Sequence, residues 1–345
     1  MSRHGAWRIG LVAVAGLLAL ALAAGAWLVH DYRRFTATPL AIGASAQTID
    51  VARGSSLRGI VAELQQRRLT VAPWPYWRLL ATAMGVSSRL HAGEYALAPG
   101  TTPRAMLTQM AEGRVVQHLF TLVDGWTFAE VRAALARAPR LRHLSVGMND
   151  AAIARAVGLP ADHPDPEGWF LPQSYAYVMG DSDLDVLRRA HMAMNALLAR
   201  LWPARAQGLP LQTPYDALIL ASIVEKETAQ PGERARIAGV FERRLQIGMR
   251  LQTDPAVIYG LGSAYHGDIT RKDLETDTPY NTYTRGGLPP TPIAMPGEPA
   301  LEAVLHPATG TSLYFVAKGD GTHVFSDTLE EQNRAVAIYQ LHHKP

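Results

Sequence analysis

The 345-residue chain contains no cysteine. That excludes a disulfide framework and cysteine-ligated zinc, and it leaves the redox compartment open. Charge of either sign is nearly balanced: 33 Lys and Arg stand against 30 Asp and Glu. The pI near 9.1 therefore reflects a slight arginine excess and not a basic stripe of the kind that grips nucleic acid. No P-loop, GxGxxG, HExxH or GxSxG occurs, so the familiar signatures of nucleotide binding, zinc proteolysis and serine hydrolysis are missing. His306, His323 and His342 lack metal-ligand spacing, and neither a metal nor another cofactor is expected. Internal repeats and low-complexity tracts are absent as well.

What the chain does have is apolar residues, 48% of the total, enough for a sizeable core and two domains beyond the N-terminus. After Arg3 and Arg8 comes an uncharged run, Ile9 to Val29, long enough to span the hydrocarbon core of a bilayer. Trp27 and Tyr32 stand where interfacial aromatics belong, and Arg33 and Arg34 follow. A cleavable signal peptide is the rival, because Ala21-Leu22-Ala23 resembles a cleavage site. The run continues past that triplet and exceeds a usual signal core, which favours an uncleaved anchor. Arginines flank both ends equally, so the free amino terminus and Asp31 tip the orientation toward a cytoplasmic N-terminus.

Beyond the anchor the pattern is α+β. A short strand over Thr48–Val51 leads through Gly54 to a helix capped by Ser55 or Ser56 and carrying Leu57, Ile60, Val61 and Leu64. A second helix is predicted over Pro75–Met84. A strand near Tyr95 follows, then a helix with Thr102 at its N-cap, Pro103 behind it and Gly113 past its end. This βααβ unit resembles a LysM-type glycan-binding module. A strand over Val115–Val123, a helix from Thr127 and a long helix from Leu184 to about Leu201 come next. From residue 250 onward Gly, Pro, Thr and Tyr accumulate, which predicts shaped loops and short strands. The expected organisation is a cytoplasmic N-terminus (1–8), a transmembrane anchor (9–29), a linker (30–46), a small LysM-like α+β module (47–120) and a larger mixed α/β catalytic domain (121–345).

Two glutamates in ASIVEKET, Glu225 and Glu227, stand two apart at the end of the apolar run LILASIV. Helical residues turn by about 100°, so Glu227 falls within roughly 20° of Leu220 while Glu225 points about 140° away. Glu227 is thus placed over the apolar stripe and Glu225 toward the polar side. A carboxyl among apolar groups keeps its proton to higher pH, as a general acid near neutrality must. Spacing alone does not decide for catalysis, because glutamates ending apolar helices are commonly solvated or ion-paired.

Aromatic and amide side chains cluster in the flanking segments: Trp169, Phe170, Tyr175 and Tyr177; Gln252, Thr253, Asp254 and Tyr259; Tyr280, Asn281 and Tyr283. Flat rings and amides suit a sugar chain, through stacking and through hydrogen bonds to hydroxyl and N-acetyl groups. Many of these rings are equally expected to fill a core.

EGWFLPQSYAY, ASIVEKET, RLQIGMRLQTDPAVIYGLG, DTPYNTYTRGGLPPTPIAMPG and YFVAKGDGTHVFSDT together resemble the YceG-like endolytic murein transglycosylases, over nearly the whole chain. The resemblance implies a single-pass inner-membrane protein of bacteria whose catalytic domain lies in the periplasm. It implies a lyase that cuts nascent peptidoglycan strands between N-acetylmuramic acid and N-acetylglucosamine, leaves 1,6-anhydro ends and so terminates elongation. The catalytic acid/base of that family maps onto Glu227, followed by Thr228. Thr228, Gln252, Thr253, Asp254, Tyr280, Asn281, Tyr283 and Trp169 are then the expected glycan contacts, with Glu167 and Glu225 supporting them. Peptidoglycan strands, the inner membrane and peptidoglycan synthases (penicillin-binding proteins) are the implied partners. One departure is Gln332, which stands before Asn333 where a histidine is expected. Two other readings stay open: a muramidase-type hydrolase pairing Glu227 with Asp254 or Glu167, and a non-catalytic glycan-binding scaffold of the wall-synthesis machinery.

Overall fold

The structure is a computed structural model that describes residues 3–341; His342 and the last residues of the expected catalytic domain lie outside the described residues. The chain forms two compact units. The first extends to His118 and includes Val178–Gly180; the second comprises Leu119–Tyr177 and the chain from Asp181 onward.

The first unit opens with helix α1 (Arg3–Ala37). By length and composition α1 can cross a membrane, and its most apolar stretch is not buried inside the protein. Segment 30–46, expected as a linker, is in large part structure. The helix runs on past the apolar run to Ala37, and Phe35 and Leu40 are buried. The Leu40 N–H donates to the Thr101 carbonyl and that of Ala41 to the Leu69 carbonyl, both at 2.8 Å. The physical cause is apolar surface: Phe35 meets Trp77 edge-on, ring centroids 5.2 Å apart.

Strand β1 (Gln47–Val51) then leads to α2 (Leu57–Gln66), whose N-cap Ser56 accepts the Gly59 N–H at 3.2 Å. Helix α3 (Trp74–Ala83) and strand β2 (Gly93–Leu97) follow, and β2 pairs antiparallel with β1 from Gln47↔Leu97 to Val51↔Gly93. Helix α4 (Pro103–Ala111) closes the unit, with Thr102 capping it and Pro103 in its first turn, where no N–H is required. Trp77, Leu80, Tyr95, Leu97, Met106 and Leu107 are fully enclosed at the centre. Each such side chain contributes about 1.5–3 kcal/mol.

The second unit contains most of strand β3 (Gln117–Thr121) and of strand β4 (Ser174–Val178), with α5 (Phe128–Leu135), α6 (Asp150–Val157) and α7 (Asp183–Leu201). Strands β3 and β4 form a two-stranded sheet. At its heart is α8 (Pro214–Glu227), flanked by α9 (Arg234–Gln246), α10 (Asp254–Leu261) and α12 (Glu298–Leu305). Between α10 and α12 lies the short α11 (Arg271–Glu275). Strands β5 (Tyr314–Ala317) and β6 (His323–Ser326) form a hairpin, and α13 (Leu329–Val336) follows.

Among the described residues the segment beyond residue 250 therefore holds four α-helices besides the short strands β5 and β6, where loops and short strands are expected from composition. Pro255 and Pro299 sit in the first turns of α10 and α12 and start helices there. Helix α8 begins in a capping box, Thr213 with Asp216, and every residue from Ala217 to Val224 is buried. A helix apolar on all sides is a core helix, and this one delivers its C-terminal end to the candidate site.

Candidate functional site

Glu227 is the last helical residue of α8. Thr228 turns to extended backbone (φ −148, ψ 135) and ends the helix. The Thr228 side chain is buried, and its hydroxyl accepts the Gln230 N–H at 3.0 Å. It shapes the exit from α8.

That carboxyl is held from across the site. The Thr253 hydroxyl, at the N-cap of α10, donates to Glu227 Oε1 at 2.5 Å. Thr253 is fixed in turn by Thr282, whose hydroxyl accepts the Thr253 N–H at 2.9 Å and donates to the Thr253 carbonyl at 3.3 Å. Among the described residues no hydrogen bond reaches the other oxygen of Glu227. Burial pushes the Glu227 carboxyl from its ordinary 4.5 up to about 7, the Thr253 donation and the Arg244 charge pull it down, and Asp254 pushes it further up. Burial thus keeps the proton on this carboxyl toward neutral pH, where it can both give and take one.

Arg244, on α9, is buried and donates to the carbonyls of Leu251 (2.5 Å) and Leu313 (2.7 Å). It places a fixed positive charge behind the carboxyl while tying the loop before Thr253 to β5. Asp254 is exposed and accepts the Tyr283 hydroxyl at 2.5 Å. Gln252 is exposed, with its backbone in the left-handed region (φ 50), a conformation costing about 1–2 kcal/mol for a residue with a Cβ. Glu227, Thr253, Asp254, Tyr283 and Gln252 thus come together, and Thr282 and Arg244 join them.

Glu225 lies on the other side of α8, in an ion pair with Arg234. Its side chain is only 6% exposed, with Arg234 at 3.6 Å, and it accepts the Gly297 N–H at 3.0 Å. Burial raises its pKa, opposed by the Gly297 N–H and Arg234 and assisted by Asp124. The polar side of the helical wheel is covered here, by α9 and by the start of α12. Neighbours, and not exposure, separate the two glutamates. Glu225 sits among a cation and a backbone donor; Glu227 has a single hydroxyl and an open oxygen.

A second network stands on the same helix α10. Glu167 is buried, and both of its oxygens accept the Phe128 N–H at the start of α5, at 3.0 and 3.1 Å; Tyr259 donates to it at 3.1 Å. Burial carries its carboxyl up to about 8 against these donors. Tyr259 meets Tyr280 edge-on at 4.9 Å, and the Tyr280 hydroxyl lies 2.8 Å from that of Thr291. Next to Glu167, Gly168 (φ 81) approaches Pro292 so closely that a Cβ would lie 2.5 Å from its ring. Glycine is required there on both counts.

Two expected glycan contacts are corrected. Trp169 is 5% exposed, stacked on Tyr215 at 5.4 Å and edge-on to His191 at 5.6 Å, so its ring belongs to the core. Asn281 is 1% exposed; its Nδ2 donates to the carbonyls of Asp273, Leu274 and Thr276, and its Oδ1 accepts the Tyr283 N–H. Its N–H donors are spent on the loop, and its burial keeps the amide oxygen from a sugar. Gln332 donates to the Phe315 carbonyl at 3.0 Å and secures β5, while His323 pairs with Glu233 at 2.7 Å. Among the described residues no three acidic or histidine side chains gather as a metal site.

The chain is similar to known proteins over most of its length. The model of the YceG-like family matches residues 49–338. A Bacillus subtilis (strain 168) protein named endolytic murein transglycosylase is 29% identical over 310 residues, which is 84% of this chain and 84% of that protein. A protein of the same name from Streptococcus pneumoniae serotype 2 is 31% identical over 177 residues, covering 50% of this chain and 32% of its own length. The crystal structure of a yceG-like protein from Listeria monocytogenes aligns with a TM-score of 0.54 at 29% identity, over 84% of this chain and 98% of that one.

Proposed function

This chain belongs to the YceG-like family, and we propose that it is an endolytic murein transglycosylase, a lyase that cleaves peptidoglycan glycan strands between N-acetylmuramic acid and N-acetylglucosamine. Glu227 is its acid and base. Protonated, it gives its proton to the glycosidic oxygen as the bond to C1 breaks. As a carboxylate it then takes the proton of the muramic C6 hydroxyl while that oxygen attacks the same C1, closing a 1,6-anhydro ring. The attack is intramolecular and benefits from orientation already present in the sugar, so no second carboxylate has to activate a water. Cutting a nascent strand within its length ends its elongation.

The observation that carries this reading is the state of Glu227: one carboxyl, lifted to about 7 by burial, steadied by one hydroxyl and open on its other oxygen. Gln252, Asp254, Tyr280 and Tyr283 are proposed to contact the glycan around it, with Thr253 holding the acid and Thr228 ending the helix that carries it. Residues 47–120 act as a LysM-like glycan-binding module, and their β1-α2-α3-β2 order supports this. Residues 9–29 remain as a single-pass anchor in the inner membrane, with the catalytic domain, residues 121–345, in the periplasm beside the synthases that supply the strands.

The test is product mass. Full-length protein in detergent is incubated with uncrosslinked glycan strands and the new ends are weighed. Anhydro ends support the lyase. Ends heavier by one water would establish the muramidase instead, with Asp254 or Glu167 as partner, and intact strands would leave a binding scaffold.

A further inference from the structure

No free segment separates the apolar run of α1 from the first unit. Val29 closes the run, and Asp31 already accepts the Tyr76 hydroxyl at 2.8 Å. Tyr32 is edge-on to Tyr76, centroids 5.6 Å apart. Along the helix axis Asp31 lies about 3 Å beyond Val29 and Arg34 about 7–8 Å beyond it. The polar layer on each side of a bilayer's hydrocarbon core is about 5–8 Å thick. Groups between Asp31 and Arg34 are therefore at headgroup depth when α1 spans the membrane.

A cavity of about 410 Å³ opens at this level, lined by Asp31, Arg34 and Phe35 of α1 and by the segment from Arg68 to Pro73. Three features of it have no use inside the protein. Val71 is 97% exposed, an apolar side chain with nothing to pack on. Arg34 and Arg68 are exposed and, among the described residues, in no ion pair, while the acidic lining group, Asp31, is already engaged by Tyr76. Arg68 also adopts the left-handed conformation (φ 58), where glycine would serve the turn with less strain. Unpaired cations and an unpacked apolar side chain around a cavity at headgroup depth match the two halves of a lipid, phosphate and acyl chain.

We propose that this face of the first unit seats an acidic phospholipid of the leaflet beside it, with Arg34 and Arg68 on the phosphate and Val71 inserted at the top of the acyl region. The proposal rests on α1 being a membrane anchor. Such a seat holds the unit at a set angle to the bilayer, where α1 alone would leave it free to turn about the helix axis.

Because the chain has no cysteine, one introduced thiol carries a fluorophore without ambiguity. Full-length Val71→Cys is labelled and reconstituted into phosphatidylcholine vesicles, with or without phosphatidylglycerol, containing a lipid with a nitroxide near its headgroup. Leu18→Cys with a deep nitroxide reports the anchor, and Ile247→Cys, exposed in the second unit, is the dry control. The expected result is quenching at position 71 well above that at position 247 and stronger with phosphatidylglycerol. Arg34→Gln with Arg68→Gln should remove that lipid preference, each arginine near an anionic surface being worth about fivefold. Quenching at position 18 with none at position 71 overturns the seat alone. No quenching at either position overturns the anchor and the seat together. Quenching at position 71 that is indifferent to phosphatidylglycerol and to both arginines overturns the assignment to an acidic lipid.

Discussion

Replacing Glu227 with glutamine separates what the carboxyl does in catalysis from what it costs the fold. Burial carries this group from 4.5 to about 7. Below pH 4.5 it is protonated in both folded and unfolded chains and leaves stability unaffected. As pH rises from 4.5 through 7 the unfolded chain releases its proton first, so stability falls across that window and stays lower above it. At about 1.4 kcal/mol per pH unit the full penalty approaches about 3 kcal/mol, and partial exposure of the side chain reduces it to roughly 1–2 kcal/mol. Glutamine has no proton to lose and can still accept the Thr253 hydroxyl. Glu227→Gln is therefore expected to match the parent protein at pH 4.5 and to exceed it by about 1–2 kcal/mol at pH 8, raising the thermal midpoint by a few degrees. Cleavage should fall by about 10²–10⁴-fold. Tryptophan fluorescence on heating, at both pH values in the same detergent, reads the first; mass analysis of glycan ends reads the second. Glu167 and Glu242, both lifted to about 8 by burial, are present in both proteins and cancel in the difference. A stability difference identical at the two pH values would refute the assignment of a raised pKa to this group, and retained cleavage would refute its role.

Thr253→Val removes the donor that lowers the Glu227 pKa; the alkaline limb of the pH–rate profile should move upward and turnover should drop about tenfold or more, since a hydrogen bond to a charged group is worth about 1.5–3 kcal/mol. An unmoved limb would mean that Thr253 does not set the acid. Glu225→Gln keeps an acceptor for the Gly297 N–H and loses only the ion pair with Arg234, so cleavage should stay within about tenfold and stability should change by about 1 kcal/mol or less; kcat/KM ranking Glu225→Gln below Glu227→Gln would reverse the roles of the pair. Gly168→Ala combines a left-handed backbone with a Cβ driven into Pro292 and is expected to destabilise by about 2–5 kcal/mol, which an unchanged thermal midpoint would contradict.

Much of the fold could be read from local signals because those signals act locally. Ser56, Thr102 and Thr127 cap helices through their own hydroxyls, each accepting an N–H three residues on, and no distant residue is needed to recognise that. The end of α1 was not readable in this way. Thr36 to Ala46 has the composition of a connector, and only the three-dimensional proximity of Trp77 and Tyr76 gives Phe35 rings to bury against. The helices beyond residue 250 were obscured for a different reason. Their prolines stand in first turns, where a missing N–H is harmless, and a proline count does not distinguish that position from a loop.

The site divides along the same line. A helical phase of 100° ranks residues by direction, and it selected the carboxyl that Thr253 holds. It also directed Glu225 to the polar side, and a wheel drawn for one helix does not say whether that side is open. Here α9 and α12 close that face, and what distinguishes Glu225 is the company of Arg234 and Gly297, residues 9 and 72 positions away. Arg244 illustrates the same limit. It stands beside Arg243 in RRLQIG, and both arginines donate to backbone carbonyls near β5, yet only Arg244 acts on the Glu227 charge. Adjacent helical residues point about 100° apart, and nothing in two consecutive arginines tells which direction leads to the acid. Trp169 and Asn281 fail from the opposite side: an aromatic ring and an amide have the right chemistry for a sugar, but the same chemistry satisfies a core and a turn. Residue type states what a side chain can bind, and packing decides whether any of that capacity remains for a ligand. At Glu227 one oxygen remains.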